Sequence, residues 1–210
     1  MKIELRPEEE KDYRIVEELT REAFWNIYFP GGNEHLLIHN LRKAKEFIRD
    51  LDFVAISDNK ITGNIVYAEA KIIDSEKERI VLTFGPISVL PEYQNRGIGA
   101  KLIKHTAQLA KKMGYKAIII YGDPEYYKRF GFKESKEYNI TNKAGKYPAA
   151  LLVLELYPGA LNGIKGIFYE GKIYEVDEKE LEEFEKGFSE KEKLKTKTQE
   201  RFLELSNKFL

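Results

Sequence analysis

The fold is decided by the stretch Gly85-Pro86-Ile87-Ser88-Val89-Leu90-Pro91-Glu92-Tyr93-Gln94-Asn95-Arg96-Gly97-Ile98-Gly99-Ala100. It predicts a strand over 79–89, a polar turn, and a helix over 97–113. Gly97 and Gly99 lack a Cβ, so a ligand can approach the backbone N–H groups at the helix start, where the helix dipole adds about half a positive charge. We predict a phosphate-binding turn here, although a glycine pair of this kind also occurs in ordinary tight turns.

The Gly85-Pro86 pair interrupts a strand that otherwise reads as central in a sheet. Proline has no N–H to donate to a neighbouring strand, so its presence requires a bulge or a local parting of the strands. We expect the sheet to open near Gly85.

The residues of this stretch do not match two other phosphate-binding patterns. A dinucleotide fingerprint requires a third glycine where Leu102 stands, and the Gly-Lys-Ser/Thr that closes a nucleotide-binding P-loop is absent. A kinase or nucleotidase would also need a loop lysine and metal-binding carboxylates, which this stretch does not supply.

Hydrophobic periodicity predicts a mixed α/β fold around this stretch. Further strands are predicted over 2–6, 53–56, 61–73, 117–121 and 149–156. A first helix is expected to turn Ile15, Leu19 and Ala23 inward, and the spacing of Leu37, Leu41, Ala44 and Ile48 predicts a second helix. A short helix is predicted over 125–130.

The composition changes after Pro158-Gly159, which suggests a domain over 1–157 and a separate extension over 158–210. Within the extension, 167–174 resembles a small hairpin. Capping-box spacing between Asp177 and Glu180, and again between Ser189 and Glu192, predicts two charged helices. We interpret the extension as a helical appendage that lies on or beside the core or on a partner.

Composition excludes several classes of protein. The 210 residues contain no cysteine, which rules out disulfides and cysteine-ligated metals, and 35 basic residues balance 35 acidic ones. With no net charge, no overall field attracts nucleic acid or anionic lipid. The longest apolar run, 148–154, is too short to span a bilayer. We therefore expect a soluble, cytoplasmic protein with neither a nucleic-acid nor a membrane partner.

The three histidines do not predict a metal site. His35 and His39 share a helix face, and His105 lies on the helix over 97–113, without a third ligand or a His-Glu-x-x-His context. We interpret all three as ordinary helix-surface residues and predict no metal.

The pattern Gln94-x-x-Gly97-x-Gly99, after a strand ending Val-Leu-Pro, resembles the acetyl-CoA signature of the GNAT superfamily of N-acetyltransferases. The resemblance covers about residues 1–157, because an opening helix, a hairpin and the segment 126–132 follow in the family's order. Residues 122–132 and 158–161 are similar to a bacterial subgroup of predicted N-acetyltransferases. One departure is Ile120, where many relatives carry asparagine.

The resemblance implies a mixed, mostly antiparallel sheet that is splayed at its central strands, with helices on both faces. It also implies that acetyl-CoA is the cosubstrate. The backbone of Ile87, Ser88 and Val89 would pair with the pantetheine arm, and Gln94, Asn95, Arg96, Gly97, Ile98 and Gly99 would hold the pyrophosphate.

The resemblance also suggests the catalytic groups. Tyr127, in a Tyr-x-x-x-Gly-Phe pattern, matches the family's general acid, or the hydrogen-bond donor to the departing thiolate. Glu69 is the residue we favour as the general base, with an ordinary surface glutamate as the commoner alternative. Trp25, Tyr28 and Phe29 could form a wall of the acceptor pocket, or simply belong to the core.

We therefore predict an N-acetyltransferase that moves the acyl group directly from coenzyme A to a primary amine, because no cysteine is present to carry it as a thioester. The alternative is a non-catalytic acyl-CoA-binding or sensing module whose charged tail docks a partner. The acceptor, the acyl-chain preference and the possibility of a homodimer stay open.

Overall fold

The computed structural model describes residues 2–75 and 77–210, within which nine strands form one mixed sheet with helices on both faces. The strands are β1 Glu4–Pro7, β2 Phe53–Ser57, β3 Lys60–Asp74, β4 Lys77–Val89, β5 Ala117–Tyr121, β6 Lys133–Glu134, β7 Ile140–Thr141, β8 Leu151–Glu155 and β9 Gly166–Tyr169. The α-helices are α1 Tyr13–Phe24, α2 Glu34–Leu41, α3 Ile98–Lys112, α4 Pro124–Tyr127, α5 Glu178–Glu185 and α6 Lys197–Asn207.

The main path of the sheet runs β1-β2-β3-β4-β5-β8-β6, and β9 pairs with both β3 and β7. The β4–β5 and β7–β9 pairs are parallel, and the other described pairs are antiparallel. This matches the mostly antiparallel sheet expected from the sequence.

The two faces of the sheet bury different helices, because alternate residues of a strand point to opposite sides. Tyr67 on β3 packs in the same cluster as Leu102 of α3. Its neighbour Val66 packs instead with Val16 of α1 and Ile38 of α2. Helix α3 therefore covers one face, and α1 and α2 cover the other.

Helix α1 forms where expected, but its buried stripe differs by one position. Leu19 is buried as predicted, whereas the prediction for Ile15 is wrong, since that side chain is 49% exposed and Val16 is buried in its place. The reason is that Val16, Leu19 and Thr20 together face the sheet, and a 3.6-residue period leaves Ile15 outside that stripe.

Helix α2 ends at Leu41, so the predicted extension through Ala44 and Ile48 is wrong. The chain instead turns back onto β3. The Ile48 N–H donates to the Tyr67 carbonyl at 3.0 Å, and Phe47 forms a bridge with Ala68. Hydrogen bonds to the sheet thus replace those of a continuing helix.

The predicted hairpin over 167–174 is also wrong. Strand β9 pairs with the far part of β3, with Phe168 opposite Ile72, and a short 3₁₀ turn over Lys172–Tyr174 follows it. Strand β3 is long, and β2 pairs with it only as far as Ile65, so the rest of that edge is open to β9. Local alternation in the sequence could not reveal this distant partner.

The C-terminal region contains two helices, one of them capped as predicted. The Asp177 carboxylate accepts the Glu180 N–H at 2.9 Å and begins α5. The second start, at Ser189, is wrong, because 189–196 is an irregular segment and α6 begins only after Thr196. The segment is held by residues that follow α1. The Trp25 indole and the Asn26 amide both donate hydrogen bonds to the Glu192 carbonyl.

No helix in the described ranges is both long and apolar enough to cross a bilayer.

Candidate active site

The sheet opens between β4 and β5. In the described residues the two strands pair at a single position, Leu82 with Ile118, although β4 continues to Val89 and β5 to Tyr121. On the other side of β4, Ile65 pairs with Ile87 and Tyr67 with Phe84, so β4 carries one extra residue in this interval. The interval contains Gly85-Pro86, and the opening predicted there is therefore present.

The turn after β4 leaves the start of α3 accessible. Gly97 precedes the helix with φ +82°, a left-handed conformation that favours glycine, and a Cβ placed on it would meet no atom within 4 Å. No side chain caps this helix end, so its first N–H groups have no partner from a capping residue. The Gln94 side chain donates to the Val89 carbonyl at 3.2 Å and holds the turn against the strand it leaves.

A cleft of about 470 Å³ joins the opening to the start of α3. The cleft is lined by the end of α1 with the segment after it, the end of β4 with the following turn, the start of α3, and α4 with the 3₁₀ turn after it. The lining residues are Ala23, Phe24, Ile27, Tyr28, Ile87, Val89, Tyr93, Gln94, Asn95, Gly97, Ile98, Gly99, Ala100, Tyr126, Tyr127 and Arg129. A Cβ at Gly99 would lie 3.0 Å from the Tyr126 hydroxyl oxygen, so glycine keeps this passage open.

Two residues of the predicted cofactor set do not line the cleft with their side chains. The Ser88 hydroxyl is buried on the opposite face, where it donates to Thr20 Oγ1 at 3.0 Å. The Arg96 guanidinium lies 5.4 Å from the centre of the Tyr93 ring at the turn. Any role of Ser88 in ligand binding would therefore use its backbone.

Tyr127 lines the cleft from α4. Its ring lies in an aromatic cluster, 5.5 Å from Phe132 and 5.9 Å from Phe84 between ring centres. It also packs on Gly122, where a Cβ would fall 2.3 Å from the ring. Burial raises the pKa of Tyr127 far above its ordinary value, so the hydroxyl stays protonated and can donate a hydrogen bond.

Glu69 lies outside the cleft, although the sequence favoured it as the base. Tyr115, just beyond the end of α3, donates to its Oε1 at 3.1 Å. Its carboxylate lines a separate depression beside Glu46 and Lys71. Glu69 lies two residues beyond Tyr67 along β3, in the direction away from the turn that follows β4, and so does not face the cleft as predicted.

The histidine predictions need one correction, since His35 is 1% exposed rather than on the surface. Its Nε2 lies 2.5 Å from Glu185 Oε1, and burial lowers its pKa to about 4. His39 Nδ1 lies 2.8 Å from Glu17, and His105 packs against Phe53. No cluster of three or more metal-ligating side chains occurs in the described part of the chain.

The chain is similar to known acetyltransferases in both sequence and structure. Residues 49–134 match the profile described as "Acetyltransferase (GNAT) domain". The chain is 25% identical over 140 residues, 66% of its length and 81% of the relative, to an Escherichia coli protein named uncharacterized N-acetyltransferase YhbS.

Two solved structures share the fold. The E. coli YhbS structure with CoA superposes with a TM-score of 0.73 at 23% identity, covering 83% of this chain and 92% of that one. A Brucella melitensis GNAT acetyltransferase with acetyl-CoA gives 0.66 at 26% identity, covering 83% and 99%.

Proposed function

We propose that the chain is an acetyltransferase of the GNAT family and that it transfers an acetyl group directly from acetyl-CoA to a primary amine. One observation supports this most strongly: the parted strands β4 and β5 and the uncapped start of α3 open into the same cleft. A ligand that combines an anionic diphosphate with a narrow, hydrogen-bonding arm matches both parts.

The residues of the cleft fit coenzyme A. The α3 start offers N–H groups and a positive helix end for the pyrophosphate, and Gly97 and Gly99 keep side chains out of its way. Past the bulge, β4 pairs with none of the described residues on its β5 side, so the backbone of Ile87–Val89 can pair with an inserted arm. Bound acetyl-CoA would supply an activated acyl group.

The transfer needs two groups from the protein: a base that deprotonates the amine and a donor that stabilises the departing thiolate. A lysine-like amine with a pKa near 10.4 costs about 4.6 kcal/mol to deprotonate at pH 7, so a base is required. The departing thiolate needs a donor. A phenol of pKa about 10 is a weak acid toward a thiol of pKa about 8.5, and burial weakens Tyr127 further. We therefore assign Tyr127 the role of hydrogen-bond donor.

Calorimetry with CoA and acetyl-CoA, followed by a thiol-release assay across a panel of amines, tests this function. We expect micromolar binding of both ligands and CoA release with at least one amine. Absence of binding by either ligand would overturn the proposal. Binding without release across the panel would favour the non-catalytic acyl-CoA-binding module. The cytoplasmic location stays a prediction from the sequence.

A further inference from the structure

A second cavity, of about 240 Å³, lies beyond the end of β5, on the face of the sheet away from α3. It is lined by Tyr121, Asn142, Lys143, Ala144, Phe168 and Glu170. Tyr121 is the last residue of β5, and its ring lies 6.1 Å from that of Phe168 on β9. Phe168 packs in the cluster that covers this face, which also contains Ile119.

Glu170 lines this cavity together with Tyr121, the residue at which β5 ends. On the β5 side, the charge of Glu170 adds to burial in raising the pKa of Tyr121 to about 12. On the β4 side, it adds to burial in raising the pKa of Tyr174, whose Cε1 is 4.0 Å from a Cβ placed on Gly85. The charge of Glu170 thus acts on Tyr121 at the end of β5 and on Tyr174 beside Gly85 of β4, while Tyr127 lines the cleft on the α3 face.

The carboxylate of Glu170 is left without a strong partner. Among the described residues, no hydrogen bond or ion pair to it is formed, and Lys143 instead lies 3.5 Å from Glu175. Burial raises the pKa of Glu170 to about 7, with Lys143 lowering it and Glu175 raising it. A base of this strength is half-ionised at neutral pH, which suits proton transfer there.

We propose that Glu170 is the general base, and that the acceptor is a small primary amine, or an amine on a flexible chain, that enters through this second cavity. The inference rests on the proposed acetyl transfer, because a base is needed only if an amine attacks. Tyr121 and Phe168 supply aromatic faces that favour an ammonium group. The size of the cavity fits a short alkyl chain rather than a folded surface.

The step balances in atoms and charge. Glu170 removes one proton from the ammonium group, and the freed nitrogen lone pair forms the C–N bond at the acyl carbon. The C–S bond breaks, its electron pair leaves on the CoA sulfur, and Tyr127 donates a hydrogen bond to that sulfur. The second nitrogen proton is lost as the amide forms, so one proton protonates the thiolate and one passes from Glu170 to water.

The test is Glu170→Gln, which keeps size and removes the base. We expect kcat/KM for the best amine of the panel to fall 10²–10³-fold at pH 7, as for loss of a general base. The rise in rate with pH through about 7, where the wild-type carboxylate ionises, should disappear. The Kd for CoA should stay within twofold, which separates failure of this inference from failure of the proposed function.

Two matched variants serve as controls. Glu175→Gln removes the neighbouring carboxylate that pairs with Lys143 and should leave kcat/KM within about twofold. Glu34→Gln removes the other buried carboxylate whose pKa is raised to about 7, which is held by the Asn33 N–H at 3.0 Å. A loss in Glu34→Gln with full activity in Glu170→Gln would overturn the assignment.

A second readout needs no turnover. The carboxyl ¹³C resonance of Glu170, assigned by its absence in Glu170→Gln, should titrate near pH 7 and move on addition of n-butylammonium to the CoA-bound protein. A resonance that does not move with n-butylammonium, or unchanged activity of Glu170→Gln, would overturn the proposal.

Discussion

The two sides of the β4–β5 opening are built in different ways. On the α3 side, the part of the cleft that we assign to the cofactor comes from one continuous stretch, 87–100, in which Gly97 and Gly99 leave the backbone accessible. On the opposite side, the groups that line the second cavity come from separate segments of the chain, such as Tyr121, Lys143 and Glu170. A site made of local backbone binds a constant ligand, whereas one assembled from distant side chains can be changed one residue at a time.

The largest effect is expected from Gly99→Val on the α3 side. The new side chain would start 3.0 Å from the Tyr126 hydroxyl and extend into the cleft. We expect CoA affinity to fall at least about 1,000-fold, or about 4 kcal/mol, by calorimetry. Gly187→Ala, where a Cβ meets only ordinary contacts, should bind normally. CoA affinity retained in Gly99→Val would remove the glycine turn from the binding site.

The next effect concerns stability on the opposite side, where His35 and Arg21 contact Glu185 of α5. Burial lowers the folded-state pKa of His35 to about 4, so the unfolded chain binds the proton more tightly. Its contribution is present above pH 6.5 and is lost as the pH falls toward 4, on the order of 3 kcal/mol.

Urea unfolding of His35→Gln at several pH values measures this contribution. The variant should lose less stability than the wild type between pH 6.5 and 4. His39→Gln, on the same helix but one-third exposed, should keep the wild-type loss. Equal slopes for His35→Gln and wild type would show that the buried histidine does not couple stability to pH.

Tyr127→Phe removes the donor that reaches the opening from the α3 side. We expect kcat to fall about 30-fold, or about 2 kcal/mol, because a buried hydrogen bond to a developing charge is lost. CoA affinity should be unchanged, since the ring still packs on Phe132 and Gly122. Tyr126→Phe on the same helix is the control, with kcat within about threefold. A larger loss in Tyr126→Phe would transfer the role to that residue.

The smallest effect is expected from Phe202→Ala on α6, whose ring lies 4.7 Å from that of Tyr28 in the cleft wall. We expect the Kd for CoA to rise about threefold, or about 0.7 kcal/mol, with the KM for the amine unchanged. Leu203→Ala, at the next and more exposed position, should change neither quantity. A change in the KM for the amine instead would assign α6 to the acceptor side.

The sequence predicted the parts of the fold that depend on neighbouring residues. Gly85-Pro86 predicted the opening, and the Gly97-x-Gly99 turn predicted the uncapped start of α3, because proline and glycine act on the backbone where they stand. The pairing of β9 with β3 and the burial of His35 could not be predicted, since both depend on contacts across more than 90 residues. Glu170 was missed for the same reason: its surroundings exist only after folding.

Strand β9 also limits how far the chain can be shortened. It covers Lys71–Ile73 of β3, so a chain cut after Leu156 would present a bare row of N–H and C=O groups. Such a row invites pairing with another molecule and aggregation. Strand β9 therefore protects this edge of the sheet, and a chain trimmed of residues 157–210 is expected to aggregate.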